Sequence, residues 1–361
     1  MISSDSQPNT IHDLMTPVLV LDMEAAEFNL KAMAEVFGGL NSHLRAHVKN
    51  HKSPGLAKLQ IASGSEGVTC ATIREATAMV DGGITDILIA NEVVGGPKIA
   101  RLVELLGRGA KIRLAIDGAE NARDLSAAVT AAGVEVGALV DLDVGMSRCG
   151  IGAGKSAVQL ARVIDGLPGL NFLGIMAYEG HVGSIDDADA REAECRRALD
   201  EAVRTKHMIE AAGIDSPVLT TSSTKSVYLA ASHPEVTEIQ AGMYLFGDRD
   251  YEDRLKIPFR PAAFVLATVI SRAEKTAAAD AGIKAVTGVK GLPRIRDRED
   301  CHVDNLNAEH TRITIDDPAS DLAPGDLLWL FPAYGDLVAS LHRRIYGVRG
   351  EKVEHVWEIT G

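Results

Sequence analysis

Basic residues, cysteines and long apolar runs are scarce in this sequence, and each shortage excludes a class of protein. The net charge of −13, from 37 Lys and Arg against 50 Asp and Glu, argues against nucleic-acid binding and against an anionic membrane as a partner, because both require clustered positive charge. The four cysteines, Cys70, Cys149, Cys195 and Cys301, show no zinc-binding spacing. No uninterrupted apolar run of about 18 residues occurs, so no membrane-spanning helix is predicted.

The first sixteen residues are polar and lack the apolar segment of a secretory signal. We therefore expect an N-terminal extension over 1–16 and a cytoplasmic protein with reduced thiols. Aromatic residues make up only 4% of the chain and include six tyrosines, so a tyrosine near a candidate site is more informative than usual.

Short apolar runs alternate with Ala-rich segments whose apolar residues recur every three or four positions, which predicts strands alternating with helices. Without an earlier run at 17–22, the count matches the eight strands of a (β/α)8 barrel. An open doubly wound parallel sheet is the alternative, although no GxGxxG follows an early strand. The eight runs are 44–49, 67–71, 86–92, 111–117, 134–143, 170–178, 217–223 and 237–242.

After residue 255 the pattern changes to β-like runs separated by Pro and Gly turns. The predicted organisation is an α/β barrel domain over 17–255 and a C-terminal β domain over 256–361.

Barrel enzymes build their active sites at the carboxyl ends of the strands, and polar or glycine-rich segments follow five of the predicted strands. Taken singly, each has a simpler explanation, such as a solvated lysine, a surface arginine, a packed tyrosine or a hydroxyl-rich loop. The residues at these ends are Lys49, then Arg148 between Gly145 and Gly150, Tyr178 with His181, Thr221–Thr224, and Gly242 with Tyr244.

Together these residue types match one cofactor. A lysine at a barrel mouth can form a Schiff base, and hydroxyl- and glycine-rich loops after strands seven and eight are where barrels bind phosphate. Arg148 is placed to hold an anion or a ring oxygen, and the phenol of Tyr178 can hydrogen-bond a heteroaromatic nitrogen. The combination indicates pyridoxal phosphate.

The chain resembles the fold-type III pyridoxal-phosphate enzymes, and most closely the branch of D-threonine aldolases, 3-hydroxy-D-aspartate aldolases and D-serine dehydratases. Five motifs of the barrel region carry the resemblance, and three later segments extend it over nearly the whole chain. The motifs are HVKNHKSP, LDVGMSRCGI, MAYEGH, TTSSTKS and EIQAGMYLFGDRDY, followed by NAEH, FPAYGD and YGVRGEKVEHVW.

The resemblance implies an alanine-racemase-like barrel with a β domain, which the strand at 17–22 would join, and it implies roles for individual residues. Lys49 rather than Lys52 would be the Schiff-base lysine, because it is the first lysine of the HxKxHK pattern. A homodimer is implied as well, with the partner's β domain completing the active site. The other implied cofactor residues are Arg148 beside the ring, Tyr178 at the pyridine nitrogen, Ser222, Ser223, Thr224 and the backbone of Gly242 and Met243 at the phosphate, and Tyr244 close by.

Two features depart from the family pattern. The hydroxyl-rich TTSSTKS stands where most relatives have a Gly-rich phosphate loop. The relatives also hold a divalent ion with an HxD or HxC pattern, whereas this chain has Tyr334 at the histidine position and keeps Asp336. A neutral tyrosine is a poor ligand for Mg²⁺, Mn²⁺ or Zn²⁺, so a metal would depend on Asp336 with water or on another histidine.

The expected activity is retro-aldol cleavage of a D-configured 3-hydroxy amino acid to glycine and an aldehyde. In the absence of a metal, His181, Tyr334 or a water would have to handle the 3-hydroxyl proton. One alternative keeps the cofactor but changes the bond, giving a D-amino acid dehydratase or deaminase, or a racemase. Another is a non-catalytic pyridoxal-phosphate-binding protein, against which the β domain and Asp336 count.

Overall fold

A computed structural model describes residues 8–249 and 251–361. The chain divides into two compact units, and each is described by itself. One unit comprises 33–242 together with Gly361, and the other comprises the chain up to Ala32 together with 243–360. Part of the predicted extension over 1–16, namely residues 1–7, lies outside the described residues. Within the described chain, no helix is long and apolar enough to cross a membrane.

The strands are numbered in chain order. They are β1 (Val18–Asp22), β2 (His43–Leu44), β3 (Ala46–His47), β4 (Val68–Cys70), β5 (Asp86–Glu92), β6 (Lys111–Ile116), β7 (Val136–Asp143), β8 (Ile151–Gly152), β9 (Leu170–Ala177), β10 (Val218–Thr221), β11 (Glu238–Ile239), β12 (Ala263–Arg272), β13 (Thr276–Ala279), β14 (Arg294–Ile295), β15 (Cys301–Leu306), β16 (Thr311–Ile315), β17 (Leu327–Phe331), β18 (Arg344–Arg349) and β19 (Lys352–Glu358).

The α-helices are likewise numbered in chain order, and most of them connect barrel strands. They are α1 (Met23–Val36), α2 (Pro54–Ala62), α3 (Ile73–Asp81), α4 (Gly96–Gly107), α5 (Ala119–Ala131), α6 (Lys155–Asp165), α7 (Ala188–Ala211), α8 (Val227–Ala231), α9 (Ile283–Val286) and α10 (Gly335–Val338). Helix caps act where the sequence supplies them: the Thr72 side chain accepts from the Glu75 amide before α3, and Asp187 accepts from the Ala190 amide before α7.

The first unit is a parallel barrel. Its strands pair in the order β2-β11-β10-β9-β7-β6-β5-β4-β3. Only Arg45 separates β2 from β3, and its amide donates to Ile239 O at 2.8 Å, so the sheet begins and ends on the same short segment. This arrangement confirms the predicted (β/α)8 barrel and excludes the open doubly wound sheet.

Charged side chains join four barrel strands at their amino ends. Arg45 is 1% exposed and donates to Glu238 Oε2 at 2.6 Å and to Asp86 Oδ1 at 2.7 Å. Arg113 also donates to Glu238, at 3.2 Å. Gly67 leaves the room for this cluster, because a Cβ there would lie 2.2 Å from the Arg45 guanidinium. The pattern of apolar runs in the sequence did not predict this network of ion pairs.

The second unit is a sheet built mainly from the C-terminal part of the chain. Strand β1 enters it between β12, to which it is antiparallel, and β18, to which it is parallel. Its core includes Val20, Phe264, Leu266 and Phe331. The chain before β1 is attached as well, since the Ile11 amide donates to Glu351 O at 2.8 Å.

Candidate active site

Lys49 follows the first barrel strand, just after His47 ends β3. Its neighbours Val48 and Asn50 are buried while Lys49 is exposed. Gly242, which follows the last strand, packs on the same point: a Cβ at Gly242 would lie 2.1 Å from His47 O, and Asn50 Nδ2 donates to Gly242 O at 3.3 Å. Glycine is therefore required there, and Lys49 and Gly242 are neighbours across the closure of the barrel.

Positive charge gathers around His47. Its pKa lies well below the usual value because its ring is desolvated and because Lys49 and Arg148 are positive neighbours. A neutral His47 keeps the local charge on the lysine and the arginine. This end of the barrel therefore suits an anionic ligand in spite of the acidic balance of the whole chain.

Arg148 and Tyr178 come together at the same end of the barrel. The Arg148 guanidinium carbon lies 5.5 Å from the centroid of the Tyr178 ring. The tyrosine ring covers the backbone of Gly180, where a Cβ would lie 2.3 Å from a ring carbon. The loop that carries Arg148 is held by Asp143 Oδ1, which accepts from the Gly145 and Ser147 amides at 3.0 and 2.9 Å.

The Ser/Thr loop, residues 221–226, follows β10. Ser222 adopts a left-handed conformation with φ of 74°, which is uncommon for a residue other than glycine. The Ser222 hydroxyl lies 3.0 Å from Ser226 Oγ and 3.1 Å from Ser223 O, so its hydrogen bonds are made within the loop. Ser223 is half-buried and Thr224 is buried.

The imidazole ring of His181 is oriented by a carboxylate, that of Glu194 on α7. Its Nε2 lies 2.7 Å from Glu194 Oε1, and Arg197 donates to both oxygens of Glu194 at 2.7 and 2.9 Å. The Arg197 contact, followed by that of His181, lowers the pKa of Glu194 to about 2, so Nε2 carries the proton that faces this carboxylate. His181 Nδ1 is buried and has no hydrogen-bond partner within 8–249 and 251–361, which leaves it as the basic atom of the ring.

Two acidic side chains, those of Asp141 and Glu92, form a pair near Arg148. Burial, followed by the hydrogen bond and the charge of Glu92, raises the pKa of Asp141 to about 8. Two carboxyl groups that share a proton carry one negative charge between them. Asp141 lies on β7 and Glu92 ends β5, and neither is among the residues predicted for the site.

Tyr334 and Asp336 belong to the second unit. The Tyr334 hydroxyl donates to Asp336 Oδ2 at 3.3 Å, and the Lys290 ammonium lies 4.3 Å from the centroid of the Tyr334 ring. Between the two, Gly335 packs on Met243, where a Cβ would meet the sulfur at 3.1 Å. Tyr244 is buried in this unit, with its ring centroid 5.9 Å from that of Phe259.

These residues do not fit a divalent metal. They offer one carboxylate and a neutral phenol, with the positive charge of Lys290 beside the phenol, whereas such ions require several oxygen or nitrogen ligands. In the part of the chain that the structure describes, no group of three or more His, Cys, Asp or Glu side chains is arranged to hold a metal ion.

The carboxyl ends of the barrel strands therefore bring together most of the predicted site residues. The predicted residues that follow five barrel strands are Lys49, Arg148, Tyr178, His181, Ser222–Thr224 and Gly242. The other unit contains Met243, Tyr244, Tyr334 and Asp336. Glu194 was not predicted, because its place within a charged helix gives no sign that it contacts His181. Glu179 was not predicted either, although this residue stands inside the motif MAYEGH.

Known proteins share both the sequence and the fold. The family model "Alanine racemase, N-terminal domain" matches residues 21–250, and "Putative serine dehydratase domain" matches 262–348. The chain is 37% identical to the D-threonine aldolase of an Arthrobacter species, over 96% of this chain and 92% of that protein. It is 34% identical to the 3-hydroxy-D-aspartate aldolase of Paracoccus denitrificans, with the same coverage.

Solved structures agree with these relatives. D-threonine aldolase from Filomicrobium marinum superposes with a TM-score of 0.94 at 33% identity, covering 99% of this chain and 98% of that one. D-threo-3-hydroxyaspartate dehydratase from a Delftia species gives a TM-score of 0.88 at 26% identity, covering 97% and 99%. The predicted resemblance is confirmed, and the chain belongs to the alanine-racemase-like family that includes the D-threonine and 3-hydroxy-D-aspartate aldolases.

Proposed function

We propose that this protein is a pyridoxal-phosphate-dependent lyase that cleaves D-configured 3-hydroxy amino acids to glycine and an aldehyde. The observation that carries the proposal is the presence of Lys49 and the His181–Glu194 pair at the same end of one parallel barrel. A lysine can hold an aldehyde cofactor, and an oriented imidazole can accept a hydroxyl proton. The aldolases among the relatives support the reaction type.

The residues present fit the cofactor. Gly242 is a position that a Cβ would fill, and the Ser/Thr loop offers hydroxyl groups beside a region that is positive through Lys49 and Arg148. Lys49 Nζ would hold the aldehyde carbon, Arg148 and Tyr178 would flank the ring, and the Tyr178 phenol would face the pyridine nitrogen. Bound pyridoxal phosphate supplies an electron sink when a bond to Cα breaks.

We assign the phosphate contacts within the Ser/Thr loop unequally. Ser222 makes its hydrogen bonds to Ser226 and to Ser223 O, so its hydroxyl holds the loop together. The half-buried Ser223 and the neighbouring Thr224 are then the hydroxyl groups for the phosphate, together with the backbone at Gly242 and Met243. Tyr244 would act indirectly, since it is buried against Phe259.

We assign His181 as the base that accepts the proton of the substrate's 3-hydroxyl group. The proton moves to Nδ1 while the aldehyde carbonyl forms and the Cα–Cβ bond breaks, and Cα then takes up a proton to give glycine. Glu194 orients the ring and balances the charge that His181 gains in this step, as carboxylate partners of catalytic histidines do. Arg197 holds Glu194 in place from the same helix.

His181→Ala is expected to lower kcat by about 10²- to 10⁴-fold, the usual contribution of a general base. Glu194→Gln is expected to lower it by about tenfold or more, because the ring keeps an acceptor but loses the balancing charge. Since Glu194 has a pKa of about 2, it is ionised at every pH of an ordinary assay. Steady-state kinetics at saturating cofactor measure both effects.

The matched control is Glu192→Gln on the same helix. Glu192 is paired with Arg196, and its side chain is 47% exposed, so this change should leave kcat unchanged. All three variants should retain the cofactor content of the wild type. Full activity in His181→Ala would remove His181 from the mechanism.

The wild-type enzyme is expected to keep its activity in EDTA, because Tyr334 and Asp336 do not form a site for a divalent ion. Tyr334→His adds a nitrogen ligand next to Asp336 and is expected to bind Mn²⁺ about tenfold more tightly or better than the wild type. Titration followed by electron paramagnetic resonance of free Mn²⁺ measures the difference. A large loss of wild-type activity in EDTA that Mn²⁺ restores would contradict this assignment.

We also propose a cytoplasmic homodimer. Large apolar side chains are exposed on the second unit in two segments, 283–292 and 337–341. A hydrogen-bond contact between His342 Nε2 and Ala285 O at 2.8 Å joins the two segments. We expect a second copy of the chain to cover these side chains. The four cysteines are unpaired thiols in the described chain. Sedimentation velocity distinguishes a dimer from a monomer. The exposed residues are Ile283, Val289, Leu292, Leu337 and Leu341.

The test of the function is the product formed from D-threonine. The proposal predicts equal amounts of glycine and acetaldehyde, and no reaction with L-threonine. Release of ammonia and a keto acid would instead identify a dehydratase, the activity of the Delftia relative. Formation of L-allo-threonine, the epimer at Cα, without aldehyde would identify a racemase, and cofactor binding without turnover of any D-amino acid would identify a binding protein.

A further inference from the structure

The Ser/Thr loop is held by one buried carboxylate, that of Glu179. This residue follows β9, lies next to Tyr178 and is 1% exposed. Its Oε2 accepts from the Ser222 amide at 3.0 Å and from the Thr221 hydroxyl at 2.7 Å. Its Oε1 accepts from the Ser226 hydroxyl at 2.6 Å. Both oxygens are thus engaged with the same loop.

The loop is held near both ends by Glu179 and also makes internal hydrogen bonds, such as that from the Ser226 amide to Ser223 O at 3.2 Å. It contains no glycine, yet Ser222 has the left-handed φ of 74°. The Ser222 amide donates to Glu179 in this conformation, and the Ser226 hydroxyl that donates to Glu179 lies 3.0 Å from the Ser222 hydroxyl. One carboxylate therefore fixes the first and last serines of the loop and, through them, the positions of Ser223 and Thr224.

We propose that Glu179 is a positioning residue for the phosphate of the cofactor. It replaces, from the neighbouring strand, the shape that glycines would give to this loop. The inference rests on the proposed function, since it requires that the Ser/Thr loop binds the phosphate. Glu179 itself contacts the loop and is not assigned to any reacting atom.

The proposal predicts an effect on the phosphate and not on the ring. Glu179→Ala leaves the buried Ser222 amide without its acceptor, and we expect the Kd for pyridoxal phosphate to rise by about 10- to 100-fold. The Kd for pyridoxal, which lacks the phosphate, should change by less than about twofold. Glu179→Gln keeps an acceptor for the Ser222 amide and should give an intermediate Kd. Fluorescence titration of the apoenzyme with each ligand measures the ratio.

The control is Glu238→Gln, which changes another buried carboxylate at the opposite end of the barrel. It should leave the ratio of the two Kd values at the wild-type value, even if it lowers the unfolding temperature. If Glu179→Ala does not fold, Glu179→Gln still tests the proposal through its ratio.

Two failures can be told apart. A wild-type protein that binds pyridoxal phosphate no better than pyridoxal would overturn the proposed phosphate site, and with it the proposed function. A wild-type preference for the phosphate that the Glu179 variants retain, or an equal loss of both ligands, would overturn the role of Glu179 alone.

Discussion

Lys49→Ala is expected to lose the visible absorption of bound pyridoxal phosphate and to lower lyase activity by about 10³-fold or more, as removal of a covalent catalytic group does. Lys49 stands where the first barrel strand ends, beside Gly242 and near Arg148. The Lys49 residue is exposed, whereas Val48 and Asn50 on either side of it are buried.

Lys52→Ala is the control for this experiment. Lys52 lies three residues further on and has a left-handed φ of 52°, and alanine should leave both the absorption and the activity close to those of the wild type. The opposite pattern, with absorption lost in Lys52→Ala and kept in Lys49→Ala, would show that Lys52 holds the cofactor and that the assignment to Lys49 is wrong.

Glu238→Ala is expected to lower the free energy of unfolding by about 3–5 kcal/mol, the cost of leaving a buried charge without its partner. Arg45 is almost fully buried and donates to Glu238 at 2.6 Å, and Arg113 donates to the same oxygen. Without Glu238, both guanidinium groups would depend on Asp86 alone. Denaturant unfolding followed by circular dichroism measures the change.

Glu66→Ala is the matched control, because Glu66 pairs with His43 near the same strand ends but is about half exposed. Exposed pairs contribute roughly 0–1 kcal/mol, so this variant should unfold close to the wild type. An equal effect of the two substitutions would show that burial of the Arg45 cluster contributes little to stability.

The fold could be predicted because the alternation of apolar runs and helical segments is a direct consequence of parallel strand pairing. The structural details that the sequence did not predict depend on single residues. Arg45 interrupts the first strand, so that the predicted run 44–49 is observed as two short strands that end at His47. The change in composition at 256 comes later than the division of the structure at 242 and 243, because the short turns between Met243 and Leu255 resemble neither kind of segment.

The site was predictable where its residues follow strands. Lys49, Arg148, Tyr178 and the Ser/Thr loop stand at positions that barrel geometry brings together. Glu194 could not be found in this way, because a charge on a helix usually faces water. Only the structure shows that it meets His181. Glu179 was visible in its motif, but its contacts to a loop more than 40 residues later require coordinates.

The most direct test of this account is to locate the cofactor by mass spectrometry. Borohydride treatment of the purified protein with pyridoxal phosphate fixes the cofactor on the lysine that holds it, and peptide mapping then identifies that lysine. We predict one modified site, Lys49. Modification of Lys52 or of another lysine, or no modification at all, would contradict the assignment of the active site to this end of the barrel.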